Sequence, residues 1–159
     1  MASNDYREAA SLREDQEDAV EPDGIVNKLA LTLGTYKTYI HYYLAQTSFA
    51  VGDYETVVAE MNRAMEHCPE FSFDDFNVAA TYWRYIAYRK MGEKEKADET
   101  LETVPAGLEL IENDSYYSEV QYFQGRLKRA ELEPAANALL KIAIAMQSQL
   151  SGDITGAAG

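Results

Sequence analysis

Two pairs of apolar stripes at helical spacing, each pair interrupted by a glycine, restrict this chain more than any other feature. From about Tyr36, the residues Tyr36, Tyr39, Ile40, Tyr43 and Leu44 recur at intervals of three and four, which sets them along one side of an α-helix. Gly52 ends that run, and Asp53 stands where its carboxylate can accept from the free amides of a second helix. On that helix Tyr54, Val57, Val58, Met61, Ala64, Met65 and Cys68 form a nearly unbroken stripe. The plan then recurs. Ser72 with Asp75 three residues on reads as a helix start signal, Val78, Tyr82, Trp83, Ile86 and Ala87 form a face, Gly92 breaks it, and Ala97, Leu101 and Val104 point inward on the next helix. Neither helix of such a pair can bury its face alone, so the repeat predicts antiparallel helical hairpins and an all-α fold class.

Composition removes several other possibilities. The chain has 159 residues, long enough to bury a core, and 47% of them are apolar. No apolar run approaches the roughly 20 residues of a membrane helix, and the start "MASNDYREAASLRED" is acidic rather than basic-then-apolar, so neither membrane insertion nor a signal peptide is expected. A soluble chain follows, with a cytoplasmic location favoured but the compartment left open. A single cysteine forms no internal disulfide. The net charge of −13 and the absence of a Lys/Arg stripe argue against a nucleic-acid partner. Acid is concentrated in residues 1–24, which reads as a solvated surface or, more sharply, as a preference for basic ligands.

These residues resemble the tetratricopeptide repeat, whose period is about 34 residues. Aligned on Gly52, Leu44 and Ala45 take the leucine and glycine positions of the first helix, Asp53 and Tyr54 follow the turn, and Met61, Ala64 and Pro69 match the second helix, with Val57 replacing its first alanine. Aligned on Gly92, the chain supplies Tyr88, Ala97 and Leu101, and Val104 replaces the second alanine. The turn glycines lie 40 residues apart, so the connection is lengthened, at "EFSFDD". A third turn signal, "GDITGAA", comes 60 residues after Gly92, which implies an insert of about 26 residues. The resemblance implies a right-handed α-solenoid of stacked hairpins. Its parts are an acidic remnant of a preceding repeat helix plus turn (1–24), a connecting loop (25–35), hairpins over 36–69 and 73–105, an inserted loop and helix (106–133), and the first helix of a truncated third repeat (134–159). Both ends look cut, so a longer repeat protein is expected. The stretches "WRYIAYRKMGEKEKADETLETV" and "ELIENDSYYSEVQYFQGRL" are similar to an uncharacterised group of bacterial tetratricopeptide proteins, loosely akin to lipoprotein-type repeat proteins, whose members commonly carry histidine where this chain has Tyr117.

Against that background the chemical candidates are weak. His67 and Cys68 are neighbours on a helix and point about 100° apart, so they share no reaction centre, and no further ligands suit a metal. Cys68 reads as core and His67 as a surface residue near a helix carboxyl end. Glu109, Glu112 and Asp114 are the acids from which paired hydrolase carboxylates could be drawn, but Asn113, Asp114 and Ser115 are better explained as caps of the helix that follows. No catalytic residue, metal or cofactor is expected.

The twelve tyrosines are the informative excess. In a tetratricopeptide stack the first helix of each pair lines a concave groove, and the resemblance puts Tyr39, Tyr42, Gln46, Phe49 and Ala50, then Ala79, Tyr82, Ile86, Arg89 and Lys90, on that surface. Aromatic groups beside two cations suit an extended or helical peptide with apolar side chains and an acid. Tyr42 and Gln46 stand where some relatives use Lys and Asn to clamp a terminal carboxylate, which disfavours that type of adaptor. The expected function is a non-enzymatic interaction scaffold binding a protein or peptide partner in the groove. A self-associating or spacer segment is the alternative, and an enzyme using the acids and tyrosines of the insert is least favoured.

Overall fold

The structure, a computed structural model, describes residues 2–21, 27, 29–128 and 131. The segment 134–159, assigned from sequence to a third repeat, lies outside the described residues. The elements are α1 (Ala2–Arg13), α2 (Tyr36–Ala50), α3 (Tyr54–Glu66), a 3-10 turn (Glu70–Ser72), α4 (Phe73–Met91), α5 (Lys94–Leu101) and α6 (Asp114–Phe123). The described residues thus hold six helices and no strand, an all-α arrangement. An isolated bridge between Val20 and Thr35, with Tyr36 N–H donating to the Ala19 carbonyl at 3.0 Å, ties the segment after α1 to the start of α2.

Local chemistry sets the ends of the first hairpin. The Thr35 hydroxyl accepts from the Thr38 amide and the Thr38 side chain returns to the Thr35 amide, a reciprocal cap for α2. Gly52 lies at φ 82°, a left-handed conformation that costs glycine little, and it turns the chain toward α3. Asp53 Oδ1 accepts from the Thr56 amide at 3.2 Å, the amino-terminal cap that its position after the glycine implies.

Helix α4 is the centre of the molecule, since it is buried on two sides. Towards α2 and α3 it presents Ala80 and Ala87, which pack with Ala45, Val57 and Met61. The small side chains let the helices approach closely. Towards α5 and α6 it presents Val78, Tyr82, Tyr85 and Ile86, which meet Ala97, Leu101, Tyr117 and Val120. Each fully buried large side chain of this kind is worth about 1.5–3 kcal/mol relative to exposure. Val104 is also fully buried, but it lies in the turn beyond the end of α5 at Leu101. Pro105 disfavours helical dihedrals in the residue before it, which accounts for the short helix.

Helix α4 starts at Phe73, directly after the start signal read at Ser72, but neither Ser72 nor Asp75 caps it through its side chain, because both have tertiary partners. Ser72 gives α4 no side-chain cap; its hydroxyl donates to the Leu33 carbonyl at 2.6 Å and so pins the connecting loop to the turn before α4. The Asp75 carboxylate, 3% exposed, accepts instead from the backbone amides of Ile111, Glu112 and Asn113 at 2.9–3.1 Å. Asn113 Nδ2 donates to the Asp75 carbonyl at 3.0 Å. This clasp delivers the chain to the start of α6 and docks that helix on α4. Asn113 occupies the cap position of α6 without a side-chain cap bond.

Candidate functional site

Two features are built well enough to bind something, and they lie on opposite flanks of α2. The first is aromatic. Residues 39, 42, 43 and 46 of α2 share one side of a 3.6-residue helix, and side chains of α4 and α6 reach it. Tyr42 donates its hydroxyl proton to the Tyr116 oxygen of α6 at 3.1 Å, and Trp83 Nε1–H of α4 donates to the same oxygen at 3.2 Å. Burial is the largest cause of the raised pKa of both phenols, so they stay protonated over the physiological range. Tyr39 meets Phe76 edge-on at 5.7 Å and stacks on Tyr43 at 6.1 Å, and Tyr43 in turn meets Tyr6 of α1 at 5.8 Å. Tyr43 remains 40% exposed.

The groove residues named from sequence divide between this surface and the interior. Tyr39, Tyr42 and Gln46 are half-buried along it. Phe49 is wedged between Tyr54 and Trp83, with ring centroids 5.4 and 5.3 Å away. Tyr82 and Ile86 are each 1% exposed and belong to the core, not to an open groove. Ala79 is buried as well. The reason is α6. The helix of the segment read from sequence as an insert between the second and third pairs lies over α4 and brings Tyr116 and Phe123 to 5.1 and 6.1 Å from the Tyr82 ring. Arg89 donates to the Tyr85 hydroxyl at 2.9 Å, and Lys90 is exposed. Ala50 is exposed at the end of α2. Sequence reasoning missed Tyr116, because nothing in the spacing of a single tyrosine shows which other helix its hydroxyl will reach. Tyr117, beside it, is a structural residue: its hydroxyl donates to the Pro105 carbonyl at 3.1 Å and accepts from the Leu108 amide at 3.2 Å.

The second feature is a polar cleft of about 530 Å³ between α1, α2 and α3. His41 of α2 points into it and donates from Nδ1 to Glu60 Oε2 of α3 at 2.7 Å, while Arg63 donates to Glu60 Oε1 at 2.7 Å. Glu60 is only 5% exposed, so its charge is held by these two partners. The His67 ring, at the carboxyl end of α3, stacks on His41 with centroids 5.6 Å apart and planes 11° from parallel. Burial, and then the His41 ring, hold the His67 pKa below the usual imidazole value; Asp18, whose Oδ2 is 4.0 Å from Nδ1, opposes them. The Thr38 hydroxyl donates to the His67 carbonyl at 2.8 Å and fixes the end of α3 against the start of α2. His67 is therefore not a lone surface residue; its neighbour comes from another helix 26 positions earlier, and no sequence spacing announces the pair. Cys68, next in the chain, lies apart from the cleft lining, with Sγ 3.5 Å from the Pro69 carbonyl oxygen and a pKa raised chiefly by burial. Among the described residues no group of three His, Cys, Asp or Glu is placed to hold a metal ion.

Glu119 of α6 is fully buried, and neither carboxyl oxygen has a hydrogen-bond partner among the described residues. Burial alone pushes its pKa up to about 8. A carboxyl in such a place keeps its proton at neutral pH. The acids Glu109, Glu112 and Asp114 are exposed. No helix among the described residues is long and apolar enough to cross a membrane. No protein-family model matches the chain, and comparison with curated proteins and with solved structures finds no match.

Proposed function

We propose that the chain is a non-enzymatic protein-interaction module of tetratricopeptide type, which takes a peptide or a segment of a partner protein along the surface of α2, α4 and α6. The observation that carries this reading is the hydrogen-bonded group Tyr42, Trp83 and Tyr116, which joins three helices at one surface. In a repeat stack the first helices of successive pairs share a concave side, and α2, α4 and α6 fit that role if α6 opens a third pair. The surface is rigid, because its phenols and indole are held by each other and by Phe76. Its accessible part is Tyr39, Tyr43 and Gln46. Rigid aromatic rings with polar rims bind apolar and aromatic side chains at little entropic cost.

The direct test is selection from a displayed random-peptide library on the immobilised protein. The reading expects enrichment of a motif with spaced apolar or aromatic residues, and at least about tenfold weaker binding of the selected peptides to Tyr39→Ser/Tyr43→Ser, a loss of about 1.4 kcal/mol. Far-UV circular dichroism of the variant should be unchanged. No enriched motif, or equal binding by the variant, would reject it.

A second reading, self-association, is favoured by Phe71 and Phe73, which are 57% and 45% exposed at the turn into α4. Large exposed aromatic side chains placed this close together mark contact surfaces more often than single ones do.

A further inference from the structure

We propose that the cleft between α1, α2 and α3 is a binding site for a small molecule that presents a phosphate or carboxylate group. The site is separate from the aromatic surface, since Lys37, Ile40, His41 and Leu44 lie on the other flank of α2. Acids outnumber Lys and Arg by 27 to 14 in the chain, yet four cations from three helices, Arg7, Arg13, Lys37 and Arg63, converge here with both histidines. The lining also carries Glu14, Glu60 and Glu66, so the local balance is four cations to three acids against 14 to 27 in the whole chain, a field more favourable to an anion than the protein's average.

The contacts inside the cleft show which of these groups are available. Arg63 is committed to Glu60 at 2.7 Å, and together with His41 it cancels the one buried acid that would repel an anion. Lys37 Nζ donates to the Glu14 carbonyl at 3.1 Å, which leaves further protons of the ammonium free to turn inward. Arg7 reaches Asp53 through a single 3.5 Å contact at an exposed pair. Arg13 lies 4.5 Å over the ring of Tyr36. Stacking covers the face of a guanidinium and leaves its N–H edge open, the edge that pairs with two oxygens of a phosphate or carboxylate.

His41 is oriented by Glu60 through Nδ1, so Nε2 is its remaining pole. The charged groups around the histidine pair are Arg13 at the end of α1, Glu14 and Asp18 from the segment after it, Lys37 on α2, and Glu60, Arg63 and Glu66 on α3. Glu14 and Glu66 are exposed at the rim. Ile40 and Leu44 supply an apolar wall. A volume of about 530 Å³ exceeds what a bare inorganic anion fills and falls in the range of small-molecule sites, so the anionic group is the head of a larger ligand. An anion bound here favours the imidazolium form of His67, so binding takes up a proton and weakens as pH rises through the imidazole range.

The two histidines of the chain both line the cleft, so their imidazole proton resonances report on this site alone. Inorganic phosphate and citrate, titrated separately at constant ionic strength with chloride as the control, probe the two head groups. The proposal expects a saturable shift of both imidazole signals with at least one of the two, a His67 titration midpoint moved to higher pH, and affinity at least about tenfold lower in Arg13→Gln/Lys37→Gln. Whichever anion binds more tightly identifies the head group. If the double variant loses its helical circular dichroism, Arg7→Gln replaces it, since the Arg7 contact is exposed, and a severalfold loss is expected. A linear shift, the same shift with chloride, or unchanged affinity in the folded variant would overturn the site. None of these outcomes bears on peptide binding at the aromatic surface.

Discussion

Glu119 is the residue whose chemistry departs furthest from its sequence context. In "YYSEVQYF" it reads as one more polar position of an amphipathic helix, yet it is fully buried and both its oxygens lack partners among the described residues. Its pKa is raised to about 8, so the folded protein holds a proton that the unfolded chain releases from the ordinary carboxyl range upward. The native state therefore binds more protons between roughly pH 4.5 and pH 8, and stability falls as pH rises through that window. The slope is at most about 1.4 kcal/mol per pH unit, and it vanishes above the folded pKa, where both states are ionised. Urea unfolding of Glu119→Gln across pH 5 to 9 should show that slope removed and the variant more stable than the parent at pH 8. An unaltered pH profile would mean that Glu119 is already ionised when folded. His67 shows the opposite relation between reading and structure. In sequence it stands beside Cys68 and reads as a surface residue near a helix carboxyl end, but the pair that forms is with His41.

At the scale of elements, α6 decides what the α4 surface can do. Its docking depends on the Asp75 clasp, in which one buried carboxylate accepts from three consecutive backbone amides. Its position in the first turn of α4 also places a negative charge at the positive end of that helix dipole. Removing the carboxylate leaves those donors without a partner in a closed site, and we expect Asp75→Ala to cost about 3 kcal/mol in urea unfolding. Hydrogen exchange should locate the effect: the amides of Ile111, Glu112 and Asn113 lose protection first, while α2 and α3 keep theirs. Uniform loss across the chain would show that α6 docking and the rest of the fold are one cooperative unit. The glycine turns and the Asp53 cap were legible because they act within a few residues of chain, through positive φ and a hydrogen bond three positions away. Ser72 and Asp75 carried an equally good local signal and took distant partners instead, Leu33 and residues 111–113. A short-range rule holds only where no long-range partner competes.

For the whole molecule, two opposing effects govern whether copies associate. A net charge of −13 repels like copies, whereas Phe71 and Phe73 offer apolar area at one edge. At low salt the repulsion reaches tens of ångströms, and at about 0.15 M it is screened beyond about 8 Å. Sedimentation equilibrium should then find a monomer at low salt and an association that strengthens with added salt, reduced in Phe71→Ser/Phe73→Ser. A strict monomer at high concentration and in every salt would remove the self-association reading. The all-α class, the hairpin turns and the apolar stripes of α3 and α4 were determined by the sequence alone, because periodicity and glycine conformation act locally along the chain; the stripe expected on α2 is not its inward side, since of Tyr36, Tyr39, Ile40, Tyr43 and Leu44 only Leu44 is buried, beside Thr38, Ala45 and Ser48. The burial of Tyr82 and Ile86, the meeting of Tyr42 with Tyr116, and the closing of α1 over the two histidines were decided only by the tertiary structure. Each depends on which helix faces come together across tens of residues, and a helical pattern fixes which side of a helix is apolar without saying which neighbour will cover it.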